Sequence, residues 1–258
     1  MKVDAIKAFS DNYIWCLRSE RGEGCAAVVD PGDAQPVLDY LHQQRLRLTA
    51  ILVTHKHSDH TGGIRRLLEA CPGTVVYGPR KEPIAALTDA VAAGDRVELQ
   101  SLAGFEVLDV PGHTEGHVAY FGEGALFCGD TLFAAGCGRV FSGTHAQLYA
   151  SLQQIAALPA ETLVYCAHEY TLDNLGFAQW VEPDSAALKQ RLERDQQRRR
   201  SGLPTVPSTL AEELRTNPFL RTHLPQVKAM AEKYAGKALP HGEAVFTALR
   251  TWKDREYD

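Results

Sequence analysis

The stretch THKHSDHTGG at residues 54–63 constrains this chain more than any other. His55, His57, Asp59 and His60 fall within six positions, directly after the apolar run Ala50-Ile51-Leu52-Val53. Such a run reads as a buried strand, and ligands tend to sit beyond the carboxyl ends of such strands, where the chain leaves the sheet. In an extended segment His55 and His57, two residues apart, point to the same side. Asp59 and His60 fall where the chain turns into a following helix, so they face a neighbouring point. This arrangement suits two adjacent metal ions better than one. A lone histidine after a strand is usually a hydrogen-bonded structural residue; the spacing H-x-H-x-D-H takes this loop out of that class.

Two ions need more ligands than one loop holds, and three later stretches offer them. PGHTEGH (111–117) supplies His113, LFCGDT (126–131) supplies Asp130, and VYCAHEY (164–170) supplies His168. Each follows an apolar strand and adjoins small or turn-forming residues. Five His and two Asp make a nitrogen and oxygen donor set without thiolate, which suits Zn(II), Fe(II) or Mn(II). The other histidines, His42, His117, His145, His223 and His241, read as structural. His117 is the most tempting of them, but it opens a strand and lies four residues past His113.

The first two thirds of the chain alternate between short apolar strands and helices. Strands are expected at 2–8, 12–18, 25–30, 49–54, 74–77, 105–110, 117–121, 125–129 and 162–167. One helix follows Gly62-Gly63, with Ile64, Leu67, Leu68 and Cys71 on one face; another runs from 145 to 158. Grouped strands with interspersed helices suggest layered sheets covered by helices. After residue 172 the strand signals stop. Segments 173–181, 184–201, 208–215, 225–234 and 241–254 read as helix, punctuated by Asn217-Pro218, Leu224-Pro225 and Leu239-Pro240. RLERDQQRRR (191–200) mixes charge signs and reads as a solvated helix face. The expected organisation is a mixed α/β domain over 1–172 and a smaller all-helical domain over 173–258.

Composition narrows the partners. The 258 residues are 45% hydrophobic and 23% charged, with a formal net charge of −5. This is an ordinary globular balance, and it argues against a general affinity for nucleic acid. No apolar run is long enough to span a membrane, and Lys2, Asp4 and Lys7 interrupt any signal-peptide pattern. The six cysteines are scattered without a C-x-x-C pair, which suggests reduced thiols in a cytoplasmic protein.

T-H-x-H-x-D-H, G-H-T-x-G-H, G-D-T-L-F and the late C-x-H-E-Y together resemble the metallo-β-lactamase superfamily. Within it the chain resembles glyoxalase II, the hydroxyacylglutathione hydrolases, through FSDNY (9–13), GDTLFAAGCGR (129–139), HEYT (168–171), NPFLR (217–221) and RTWKD (250–254). The implied fold is an αββα sandwich. The resemblance assigns His55, His57 and His113 to one metal and Asp59, His60 and His168 to the other. Asp130 and a hydroxide would bridge them, and Asp30 would support a ligand or simply make a turn. For glutathione it implies Arg139, Tyr170, Arg250 and Lys253. One departure is visible: a Tyr is common two residues past the basic residue of the GCG loop, and here Phe141 stands there.

The chemistry implied is hydrolysis of S-D-lactoylglutathione to glutathione and D-lactate, the second step of methylglyoxal detoxification. Two divalent ions, Zn(II) first, would supply hydroxide at neutral pH and stabilise the oxyanion. Asp59 would take a proton from the hydroxide. If 241–254 is helical, Val245, Leu249 and Trp252 form a docking stripe, and Arg250 and Lys253 flank it. The chain is expected to act as a monomer on this small-molecule thioester. The rivals are a mononuclear-iron glutathione persulfide dioxygenase, a β-lactamase or nuclease, and a metal-binding protein without catalysis.

Overall fold

The computed structural model describes residues 1–19, 24–99 and 102–257. The expected domains 1–172 and 173–258 take in residues 20–23, 100–101 and 258, which lie outside the described residues. The chain forms two compact units, one of residues 1–109 with 114–129, the other of residues 110–113 with 130–258.

The first unit carries two sheets. In one, β1 (Lys2–Ala8), β2 (Asn12–Arg18), β3 (Cys25–Val29), β4 (Arg47–Leu52), β5 (Val75–Pro79) and β6 (Asp89–Val91) lie side by side in chain order. β1 to β3 pair antiparallel and β3 to β6 parallel. β3 is apolar and buried on both faces from Ala26 to Val29, as a strand covered on both sides must be. α1 (Ala34–Gln44) connects β3 to β4, and α2 (Ser58–Thr61) and α3 (Ile64–Ala70) connect β4 to β5. Asp33 caps α1 by accepting from the Gln35 amide at 3.0 Å. Val37 and Leu41 of α1 and Ile64 and Leu67 of α3 share one buried cluster with Ile6, Ile14, Val28, Ile51 and Val76 of the sheet.

The second set of strands in this unit is an antiparallel meander of β7 (Arg96–Leu99), β8 (Ala103–Asp109), β9 (Val118–Gly122) and β10 (Ala125–Gly129). It meets the first sheet where β4 ends. The Tyr120 hydroxyl donates to the Val53 carbonyl at 2.8 Å, and the Val118 amide donates to the Thr54 carbonyl at 2.9 Å. The THKH loop therefore leaves the sheet from an anchored strand end.

The second unit begins with a small hairpin, β11 (Leu132–Phe133) and β12 (Gly136–Cys137). α4 (His145–Ala156) follows, opened by a capping box of Thr144 and Gln147. Then come β13 (Leu163–Cys166), α5 (Thr171–Val181), α6 (Ala186–Arg200), β14 (Ser208–Thr209), α7 (Leu210–Thr216), a 3-10 turn at Pro218–Leu220, α8 (Pro225–Ala235), α9 (Gly242–Trp252) and a π turn at Lys253–Tyr257.

Two expectations need correction. Strand structure does not stop at residue 172, because β14 pairs antiparallel with β13 through Leu163–Thr209 and Val164–Ser208; two residues are too few to leave a periodic signal. The stretch 191–200 is not simply a solvated face either. Arg191 is 1% exposed and Asp195 is fully buried. They fall three and seven residues after buried Leu188, on its face of α6. Their charges are tolerated because they are paired: Arg191 Nη2 lies 2.6 Å from Glu213 Oε1 and its Nε lies 3.5 Å from Asp195.

Candidate metal centre

In the first unit the candidate ligands gather at the carboxyl ends of β3 and β4. Asp30 follows β3 with a φ of 52°. Its carboxylate accepts from the Thr54 amide and hydroxyl, both at 2.7 Å, and lies 3.0 Å from His60 Nδ1. A carboxylate behind one ring nitrogen fixes the tautomer and directs the other nitrogen outward. His60 Nε2 lies 3.2 Å from Asp59 Oδ2. His55 Nε2 lies 3.0 Å from His57 Nδ1, and the His55 ring packs against those of His60 and His117. One donor atom from each of Asp30, His55 and His60 lies within 4.8 Å of the others. His117, expected to be structural, has its Nδ1 3.0 Å from the Val118 carbonyl.

Two residues that sequence reasoning missed hold this group. Buried Glu82 accepts from the Lys56 amide at 3.0 Å and from the Gly116 amide at 2.9 Å. It thereby ties the HKH loop to the GHTEGH loop. Asn12 donates to Asp59 Oδ2 at 3.1 Å. Asn12 lies in the FSDNY motif, which could have flagged it; nothing around Glu82 marks it. Gly129 has a φ of 47°, and a Cβ there would stand 2.3 Å from Thr54 Oγ1 and 2.9 Å from the His117 ring. Only glycine fits that approach.

In the second unit Asp130 is the centre. Its Oδ2 lies 3.4 Å from His113 Nε2 and its Oδ1 lies 3.4 Å from His168 Nε2. One carboxylate reaching two imidazoles through separate oxygens can serve two cations at once. His113 Nδ1 lies 2.8 Å from the Arg139 carbonyl, which leaves Nε2 as its donor toward a cation. The His168 ring stacks on Tyr170 with centroids 4.7 Å apart and meets Phe133 edge-on. Glu169 between them is bound to Thr205, whose amide donates to it at 2.9 Å. Burial pushes the Cys166 thiol up to about 12 and the Cys137 thiol up to about 11. Both stay protonated at neutral pH, so the donors here are nitrogen and oxygen.

The cations expected to meet glutathione also lie in this unit. Half-exposed Arg139 has its Nε 3.3 Å from Asp254. Arg250 is 1% exposed; it donates to Asp254 at 2.8 and 3.1 Å and to the Cys137 carbonyl at 3.0 Å. Buried Lys253 stands over the Tyr257 ring. Asp254 thus touches both arginines, a partner not singled out in the sequence although it lies four residues past Arg250. Phe141 is 64% exposed and meets the His113 ring edge-on.

The metallo-beta-lactamase superfamily model matches residues 12–168, and the hydroxyacylglutathione hydrolase C-terminus model matches residues 169–256. The hydroxyacylglutathione hydrolase of Alkalilimnicola ehrlichii is 54% identical over 255 residues, covering 98% of this chain and 99% of that one. The chain belongs to the hydroxyacylglutathione hydrolase family. Among solved structures, ETHE1 from Myxococcus xanthus matches with a TM-score of 0.65 at 25% identity, over 96% of both chains. TTHA1623 in a di-iron-bound form matches with a TM-score of 0.59 at 25% identity, over 85% of this chain and all of that one. The fold is the αββα sandwich of the metallo-β-lactamases with a helical C-terminal region. That fold, the Asp30, His55 and His60 group, and Asp130 between His113 and His168 support a divalent metal centre. Among the described residues no helix of this family member is long and apolar enough to cross a membrane.

Proposed function

We propose that the chain hydrolyses S-(2-hydroxyacyl)glutathione, with S-D-lactoylglutathione giving glutathione and D-lactate in the second step of methylglyoxal detoxification. The observation that carries this reading is identity of about half over nearly the full length to a curated hydroxyacylglutathione hydrolase. The same match disfavours the persulfide dioxygenase, the β-lactamase or nuclease, and the non-catalytic metal-binding protein.

The donor types suit divalent ions: in this reading His55, His57 and His113 would hold one, Asp59, His60 and His168 would hold the other, and Asp130 would serve both. The two oxygens of Asp130, each near a different imidazole, support that division, as does the di-iron form of TTHA1623. Zn(II) suits imidazole and carboxylate donors, and Fe(II) or Mn(II) suits them as well. When bound, such ions polarise a carbonyl and lower the pKa of water. Asp59, held by Asn12, accepts the proton of the attacking water. The leaving group is a thiolate, which needs no strong general acid. Arg139, Tyr170, Arg250 and Lys253 hold the glutathionyl tail, with Asp254 balancing the arginines.

Residues 1–172 form the catalytic domain in this reading, and 173–258 contribute to the glutathione site; the boundary of the two family matches at 168/169 supports the division. The enzyme acts as a cytoplasmic monomer. Metal-loaded protein given S-D-lactoylglutathione should release free thiol and D-lactate in equal amounts. A loaded, folded protein that leaves the thioester intact would refute the reading.

A further inference from the structure

Five consecutive residues of the β11–β12 hairpin have a main-chain polar group bound by a side chain from the helical segments. Asn217 Nδ2 donates to the carbonyls of Phe133 at 3.2 Å and Gly136 at 2.8 Å. Asn174 of α5 donates to the Ala134 carbonyl at 3.1 Å, and Arg250 of α9 donates to that of Cys137 at 3.0 Å. Glu213 of α7 accepts from the Ala135 amide at 2.8 Å. The hairpin cannot hold this position by itself. It has two paired positions on each strand, and its turn puts Ala135 in the left-handed region with a φ of 57°.

Behind the contact stands a buried ion pair. Glu213 Oε2 faces Ala135 and Asn217, while Oε1 takes Arg191 Nη2 at 2.6 Å. Arg191 Nη1 donates to Thr216 at 2.6 Å. Glu213, Thr216 and Asn217 are fully buried. Buried ion pairs contribute little net stability for their desolvation cost, and fixing one arrangement is their best-attested use. Here the pair fixes the carboxylate that grips the turn.

The hairpin is flanked by two groups of the candidate site. Asp130 precedes it and Arg139 follows it. A Cβ at Gly138 would stand 1.9 Å from the Asp130 carbonyl oxygen, so the two ends are in direct contact. The Arg139 carbonyl in turn faces His113 Nδ1.

We propose that Asn217, backed by Glu213 and Arg191, is a positioning residue that sets the hairpin and, through it, the directions of Asp130, His113 and Arg139. This rests on the roles given to those three residues under the proposed function. The test is Asn217→Ala, alone and combined with Arg139→Ala, read by bound metal, melting temperature, kcat and KM. Loss of the pin should lower bound metal, lower kcat by about ten-fold or more and raise KM. Arg139→Ala should then have little further effect on KM, because coupled residues are not additive. A lower melting temperature with unchanged metal and kcat, and an Arg139→Ala effect of full size, would overturn the proposal. If the wild type holds its metal yet leaves the thioester intact, the functional reading fails and bound metal alone decides positioning: a lower content in Asn217→Ala supports it, an equal content overturns it. Should Asn217→Ala not fold, Asn174→Ala, which removes only the bond to Ala134, is put through the same measurements.

Discussion

Asp30 determines which nitrogen His60 can offer. Its carboxylate is locked by the Thr54 amide and hydroxyl, so it cannot swing away from the His60 ring. Asp30→Asn keeps the shape but removes the charge that holds Nδ1–H. Outer partners of this kind are worth roughly 10- to 100-fold in metal affinity. Competition against a chromophoric chelator should show a loss of that order, with the fold retained by circular dichroism. An unchanged affinity would mean that Asp30 is only a turn residue. In the sequence those two roles could not be separated, since VVDPG is compatible with both. The groupings within each unit, His55 with His57, Asp59 with His60, and Asp130 with His113 and His168, were legible because imidazoles and carboxylates after apolar strands have few other reasons to recur. Glu82 was not, because a glutamate in a polar loop carries no local sign that it will accept two amides from distant loops.

At the scale of elements, period and punctuation revealed most strands and the long helices. α1 has no range of its own among the helices expected from the sequence; its Pro36 lies in the first turn, where proline costs no hydrogen bond. β6, β7 and the hairpin strands are too short to show a period. α6 misled in another way, since its buried face is made of charges. Arg191→Met would strand buried Glu213 without its cation, while Asp195 keeps Arg194 at 2.8 Å. Breaking a buried pair costs about 3–5 kcal/mol, and the urea midpoint should fall accordingly; a midpoint at the wild-type value would mean that the network is not coupled to folding. On α9 and its π turn, the two proposed glutathione cations differ in their surroundings. Arg250 also supports the Cys137 carbonyl, so its removal should disturb more than binding. Lys253→Ala is the cleaner test. A charge-assisted bond of about 1.5–3 kcal/mol corresponds to KM raised on the order of 10- to 100-fold with kcat nearly constant. A collapse of kcat at unchanged KM would place Lys253 outside the tail site.

At the scale of the whole molecule the work is divided. The expected metal ligands all precede residue 169, and the helical remainder supplies Asn174, Glu213, Asn217 and Arg250 to the hairpin that bears Asp130. The existence of a helical region was legible from its Pro-punctuated periods. Its grip on the hairpin was not, because side-chain to main-chain bonds leave no pattern along the chain. The C-terminal match names the narrower family, while the match over the metal loop names a superfamily. The central claim is thioester hydrolysis that depends on two divalent ions. It is tested most directly by titrating Zn(II) into metal-free protein while following bound metal and the hydrolysis of S-D-lactoylglutathione together. Hydrolysis should be absent at the start, rise with bound metal and level off at two equivalents per chain. Full hydrolysis without metal, or none at two equivalents, would contradict the account.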